Sequence, residues 1–231
     1  MGLYFDRIPR VVEMDVRGRE WGSMVLEALR KRFGSVEIAR RHPFETLIAT
    51  ILSQHTTDVK AHEAYRRLAS RFGVTVEALA SAPLRDVADA IRVAGLQNNK
   101  ARVIVMLSRR LLEENGFFEE LRSLEVEEAR RRLMDLPGVG EKTADIVLLF
   151  SYGKPTFPID THIFRVSKRL GLRRRGEGYE RLRKRLQTVF PEDKYLEAHI
   201  LLIRLGRSVC RPRRPRCREC PIEDLCPKLL D

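Results

Sequence analysis

The chain has 231 residues, 43% of them hydrophobic, enough for one large domain or two small ones with real cores. No run approaches the ~20 apolar residues of a membrane span, and the opening MGLYFDRIPRVVEMDVRGRE mixes acids and arginines where a leader would be apolar, so a cytoplasmic protein without a membrane partner is expected. The net charge is +12 and uneven, with 19 basic and 10 acidic side chains in residues 155–231 against 18 and 17 in 36–154, which points to a polyanionic partner, most simply nucleic acid, with a merely solvated basic face as the plainer alternative.

Helical periodicity runs the length of the chain and breaks at glycines and prolines. EWGSMVLEALRKRFG reads as a helix closed by Gly34, and HPFETLIATILSQ as one opened by Pro43 at its first position. TTDVKAHEAYRRLASRFG carries a threonine cap and ends at Gly73. PLRDVADAIRVAG runs from Pro83 to Gly95. NNKARVIVMLSRRLLEENG has asparagine caps, and SLEVEEARRRLMD has Ser123 as its cap. EKTADIVLLFSYG, DTHIFRVSKRLG, GYERLRKRLQTVF and DKYLEAHILLIRLGRSV follow. About ten helices and no convincing alternating strand predict an all-α fold.

Between two of these helices lies LPGVG, followed by a glutamate and then a lysine. The glycines Gly138 and Gly140 permit positive φ and close approach, so the amides around Val139 and the next helix start form a site for a phosphate. A plain helix–helix corner is the simpler reading of such a turn. Lys142 stands in the first helical turn, where the helix dipole disfavours a cation. That placing, with partial desolvation, lowers an amine's pKa and frees it to attack an electrophilic carbon as a Schiff-base nucleophile. Taken alone, a first-turn lysine more often points to solvent. Asp160 precedes a helix and reads as its N-cap. Facing Lys142, it would also stabilise a developing sugar cation or accept a proton, while holding the amine protonated.

All four cysteines lie near the end, as Cys210, Cys217, Cys220 and Cys226 in the spacing C-x6-C-x2-C-x5-C. A long cysteine-free stretch followed by such a cluster argues for metal rather than a disulfide framework. Structural zinc sites usually offer two close pairs, and only one C-x2-C is present. Four thiolates on one loop suit an iron–sulfur cluster, in which each iron takes one ligand. Zinc remains the alternative, with two small disulfides behind it. Arg211, Arg213, Arg214, Arg216 and Arg218 fill the loop; they would offset a cluster's negative charge or face phosphates.

Together HPFETLIATILSQHTTD, GLQNNKA, LPGVGEKTAD, DTHIFRV and the cysteine spacing resemble the endonuclease III family of DNA-repair glycosylases, in that family's order, over about residues 40–228. The resemblance implies an all-α, two-domain helix-hairpin-helix glycosylase fold with a cleft between the domains. Residues 36–154 would form a six-helix barrel containing the helix-hairpin-helix at about 123–152. Residues 1–35 and 155–231 would form a discontinuous domain carrying a [4Fe-4S] cluster on the four cysteines. Lys142 matches the family's Schiff-base lysine and Asp160 its aspartate. The activity implied is base-excision repair of double-stranded damaged DNA by a monomer associated with the nucleoid. An oxidised pyrimidine is flipped out and removed, and the strand is nicked by β-elimination. A mismatch glycosylase acting on uracil or thymine opposite guanine is the alternative, and a non-enzymatic DNA-binding module a more distant one. Gln54, His55, Leu96, Gly138, Val139, Gly140, Arg213 and Arg214 are the expected DNA contacts, Leu96 as a wedge into the vacated stack. Two departures stand out. His55 occupies a position usually glutamine, with Gln54 beside it. Asp145 occupies one usually asparagine, where an acid would raise the lysine pKa or repel phosphate. His162 reads as a packed, hydrogen-bonded residue.

Overall fold

In the structure, a computed structural model describing residues 18–230, every regular element among those residues is helical; residues 1–17 of the stretch read as unlike a leader lie outside them. In chain order these are α1 (Arg19–Phe33), α2 (Pro43–Ser53), α3 (Asp58–Phe72), α4 (Val76–Ser81), α5 (Leu84–Ala90), α6 (Gln97–Glu113), α7 (Phe117–Ser123), α8 (Val126–Met134), α9 (Glu141–Val147), α10 (Thr161–Arg169), α11 (Tyr179–Val189) and α12 (Tyr195–Ser208). A 3-10 turn, Arg92–Ala94, precedes α6, and a π turn, Leu148–Tyr152, prolongs α9. None of these helices is long and apolar enough to cross a membrane.

The chain divides into two units, one of residues 38–158 and one joining the described residues up to 37 with those from 159 onward. In the first, α2 is the central rod. Phe44, Leu47, Ile48, Ile51 and Leu52 are each at most 1% exposed, so apolar side chains cover nearly its whole circumference. The β-branched residues in TLIATIL lower helix propensity, but burial on several sides overrides it. The helix opens on Pro43, and His42 Nδ1 accepts from the Phe44 amide at 3.3 Å. Helices α3, α6 and α9 pack around it. In the second unit α12 lies against α1 and α10. Gly22 of α1 is required there, since a Cβ would stand 2.0 Å from the Val189 carbonyl oxygen. Arg30 adds a two-pronged ion pair to Glu197, with N–O distances of 2.7 and 2.8 Å.

The helix ends correct the sequence reading in three places. Helices α4 and α7 have no counterpart in it, because one or two turns carry too little periodicity to register. Ser123 is the last residue of α7 and caps nothing; Glu125 holds the N-cap of α8. The asparagines of GLQNNKA do not cap α6 either. That helix begins at Gln97, behind a leucine, Leu96, in the left-handed conformation with φ +51°.

Candidate active site and cysteine loop

The helix-hairpin-helix turn joins α8 to α9. Gly138 has φ +74°, and a Cβ there would sit 2.3 Å from Val103 Cγ1, so conformation and packing both demand glycine. Gly140 differs: its φ of −101° suits any residue, and nothing lies within 4 Å of a Cβ built on it. The space above Gly140 is open to another molecule. Val139 departs from the expected role. Its side chain is buried and its amide bonds back to the Leu136 carbonyl at 3.2 Å. The amides of Gly138 and Gly140 have no hydrogen-bond partner among the described residues and are left as the outward donors. Lys142 follows in the first turn of α9, half-buried, its ammonium tied to no carboxylate among the described residues.

Asp145 does not act on this surface. It is fully buried, and its Oδ1 accepts from Arg130 Nε at 2.7 Å and from Thr156 Oγ1 at 2.5 Å. Arg130 is itself only 5% exposed. The carboxylate that replaces the expected amide thus lies in a buried ion pair and is not turned toward a phosphate, while Arg130 also reaches the exposed Glu127 at 3.6 Å and Glu141 at 3.8 Å.

His55 and Leu96 occupy two further loops of the same unit. His55, in the turn between α2 and α3, is exposed with φ +52°, beside half-buried Gln54. Leu96 is 56% exposed. A large side chain rarely adopts the left-handed region, and such strain persists only where the surroundings enforce it. An exposed, strained leucine does not fill a core.

Asp160 is the N-cap of α10. Its Oδ1 accepts from the Ile163 amide at 2.8 Å, leaving Oδ2 without a partner among the described residues. His162 in the next turn meets Arg165 Nη2 through Nδ1 at 3.2 Å, and burial lowers its pKa. It is packed and hydrogen-bonded, as read from the sequence.

The far end of α10 holds the cysteine loop. Arg165 Nε donates to the Cys210 carbonyl at 2.9 Å. Arg169 donates to the carbonyls of Arg211 at 2.6 Å and Pro212 at 3.0 Å, while its own carbonyl accepts from the Leu229 amide. Both ends of the loop are therefore fastened to one helix. The sequence reading missed these two arginines; their i, i+4 spacing on one helix face was the available signal. Cys210, Cys217, Cys220 and Cys226 form no disulfide and line one cavity with about 340 Å³ of empty space, including its mouth. No three of the described histidines, cysteines or acids converge on a point that a single ion would occupy. Burial pushes the Cys220 thiol up to about 11, so a ligating metal must displace its proton. Four thiolates around one cavity are a donor set that suits a metal group. Arg213 and Arg214 stand exposed at the loop's outer edge.

A family model for the HhH-GPD superfamily of base excision DNA repair proteins matches residues 48–192. Endonuclease III of Sulfolobus acidocaldarius is 38% identical over 192 residues, covering 83% of this chain and 84% of that protein. Endonuclease III of Escherichia coli strain K12 is 40% identical over 193 residues, covering 83% and 87%. Among solved structures, a trapped covalent endonuclease III–DNA intermediate, an estranged-adenine complex, is similar with a TM-score of 0.76 at 35% identity, over 88% of this chain and 93% of that one.

Proposed function

The chain belongs to the HhH-GPD superfamily of base excision DNA repair proteins, and from that footing we propose that it is a bifunctional DNA glycosylase and abasic-site lyase that removes oxidised pyrimidines from double-stranded DNA. Lys142 is the nucleophile. Its neutral amine attacks C1′ of a nucleotide turned out of the stack. The bond from C1′ to the base breaks, and the base leaves with the electron pair and takes up a proton. Loss of the amine protons and opening of the sugar ring leave an imine between Nζ and C1′. Removal of a C2′ proton then expels the 3′-phosphate, and water releases the lysine. The Asp160 carboxylate stabilises the positive charge that grows on the sugar and accepts the proton that the ammonium must shed.

The observation that carries this reading is the arrangement around Lys142. The amine stands two residues past a turn whose Gly138 and Gly140 amides are unpaired among the described residues and whose Gly140 faces open space. Those donors suit a phosphate of the strand under attack, held without reading its sequence. The exposed, strained His55 and Leu96 supply what fills the space that a flipped nucleotide vacates. Cys210, Cys217, Cys220 and Cys226 would each ligate one iron of a [4Fe-4S] cluster. When bound, that cluster cross-links the loop and fixes Arg213 and Arg214 for phosphate contact. We assign the unit of residues 38–158 as the barrel with the hairpin and the other unit as the iron–sulfur domain, in a protein that acts as a monomer.

The test is a duplex carrying one oxidised pyrimidine, with base release and strand nicking followed separately. Wild-type protein performs both at matched rates, and Lys142→Ala performs neither while still binding. Base release that persists in Lys142→Ala, with nicking absent from both proteins, would turn the reading into a water-using glycosylase.

A further inference from the structure

Lys100, in the first turn of α6, is 4% exposed. Its ammonium donates to the Leu52 carbonyl at 2.9 Å and to the Ala94 carbonyl at 3.0 Å. Among the described residues no carboxylate lies against it, and burial draws its pKa below the usual lysine range. An ammonium taken out of water without a counter-charge is costly, and an apolar side chain of similar volume would fill the site more cheaply. The two carbonyls must therefore account for the lysine.

Each carbonyl sits just ahead of a loop that meets DNA in the reading above. Leu52 lies in the last turn of α2, where carbonyls lack helical partners and the dipole is negative. Two residues on is Gln54, and then left-handed His55. Ala94 ends the 3-10 turn, and two residues on is left-handed Leu96. Both loops thus hold a strained residue, and both are anchored on one buried cation. Lysine suits this position because a flexible stem with three donors can meet carbonyls arriving from different segments.

We infer that Lys100 is a positioning residue for base eversion, clamping the Gln54–His55 loop and the Leu96 loop at a fixed spacing so that both enter the duplex together. The inference rests on the reading that these loops contact DNA. Through it Lys100 acts on the step that unstacks the base and has no part in the chemistry at C1′.

The test is Lys100→Met, which keeps the volume and removes the donors, beside Lys100→Arg, which keeps charge and donors. Single-turnover base release by Lys100→Met should slow about tenfold, the factor that one charge-assisted hydrogen bond supplies. Nicking of a pre-formed abasic duplex should slow much less, since no base has to be unstacked. Hydrogen exchange at the amides of residues 54–57 and 95–98 should quicken together, and Lys100→Arg should recover part of both effects. A merely structural role would lower base release and nicking by one common factor and quicken exchange throughout α2 and α6; that result, or unchanged exchange in either loop, overturns the clamp. Where Lys100→Met does not fold, Lys100→Gln, with one neutral donor group, carries the same comparison. Leu96→Ala separates the two levels. Wild-type base release in Leu96→Ala would mean the loop reading itself has failed, whereas slow release there with normal release in Lys100→Met would sink the clamp alone.

Discussion

Gly138 and Gly140 differ by two positions, yet alanine at each should do opposite things. At Gly138 the φ of +74° places an alanine in the left-handed region, at about 1 kcal/mol. Its Cβ would also meet Val103 Cγ1 at 2.3 Å, and over-packing of that kind costs about 1–3 kcal/mol. Gly138→Ala should therefore lose about 2–4 kcal/mol, a fall in Tm of about 5–15 °C for a chain of this length. Shortening Val103 to alanine in that background should return the steric part and leave the conformational part, a coupling measurable in a double-mutant cycle. At Gly140 the backbone is extended and no atom waits for a Cβ. The weaker N-cap and the stiffer unfolded chain nearly cancel, so Gly140→Ala should change stability by less than about 1 kcal/mol. It should instead weaken DNA binding, because the methyl group occupies the space a phosphate would use. Thermal unfolding and fluorescence-anisotropy binding to abasic duplex read the two effects separately. Equal Tm values for the two variants, or undiminished binding by Gly140→Ala, would refute the assignment of the turn.

Asp145→Ala should destabilise by about 1–3 kcal/mol, since Arg130 and Thr156 lose their buried acceptor and Arg130 keeps only its longer contacts to Glu127 and Glu141, and Asp145→Asn by less, since its amide oxygen still accepts from Arg130 and Thr156. Per folded molecule, Asp145→Asn should leave the rate of Schiff-base formation unchanged; an altered rate would mean Lys142 senses the acid. Replacing Arg213 and Arg214 with alanine should lower affinity and reduce the slope of log K against log salt by about 0.9 for each phosphate that is no longer neutralised. An unchanged slope would remove that edge of the loop from the DNA footprint. Because burial lowers the His162 pKa, the unfolded chain takes up that proton before the folded one does. His162 therefore erodes stability as pH falls below about 6.5, and His162→Gln should flatten the decline of urea midpoints in that range. Parallel declines would contradict it.

The long helices were legible because period and punctuation agree. Arg19–Phe33 stops at Gly34 with φ +79°, and Asp58–Phe72 starts behind Thr57, whose hydroxyl accepts from the Lys60 amide, and stops at Gly73 with φ +79°. The candidate site residues stood out for the same reason: LPGVG with Lys142, Asp160 before a helix, and the four cysteines are local patterns. What escaped is set by distant partners. Nothing near Asp145 announces Thr156 at 2.5 Å, so an acid read as neighbour to the lysine turns out to be interior. Lys100 looks like a surface lysine until carbonyls 48 and 6 residues away are brought to it. Leu96 at φ +51° contradicts the intrinsic preference of leucine, and only the surrounding fold imposes it. Val139 was grouped with its flanking glycines by sequence, whereas the turn sends its side chain inward.

Borohydride reduction of the protein with abasic duplex, followed by peptide mapping of the adduct, shows whether the Lys142 amine bonds covalently to an everted sugar. A single cross-link is expected, on Lys142, absent from Lys142→Ala. An adduct on another residue, or none from protein that nicks the same duplex, would contradict it.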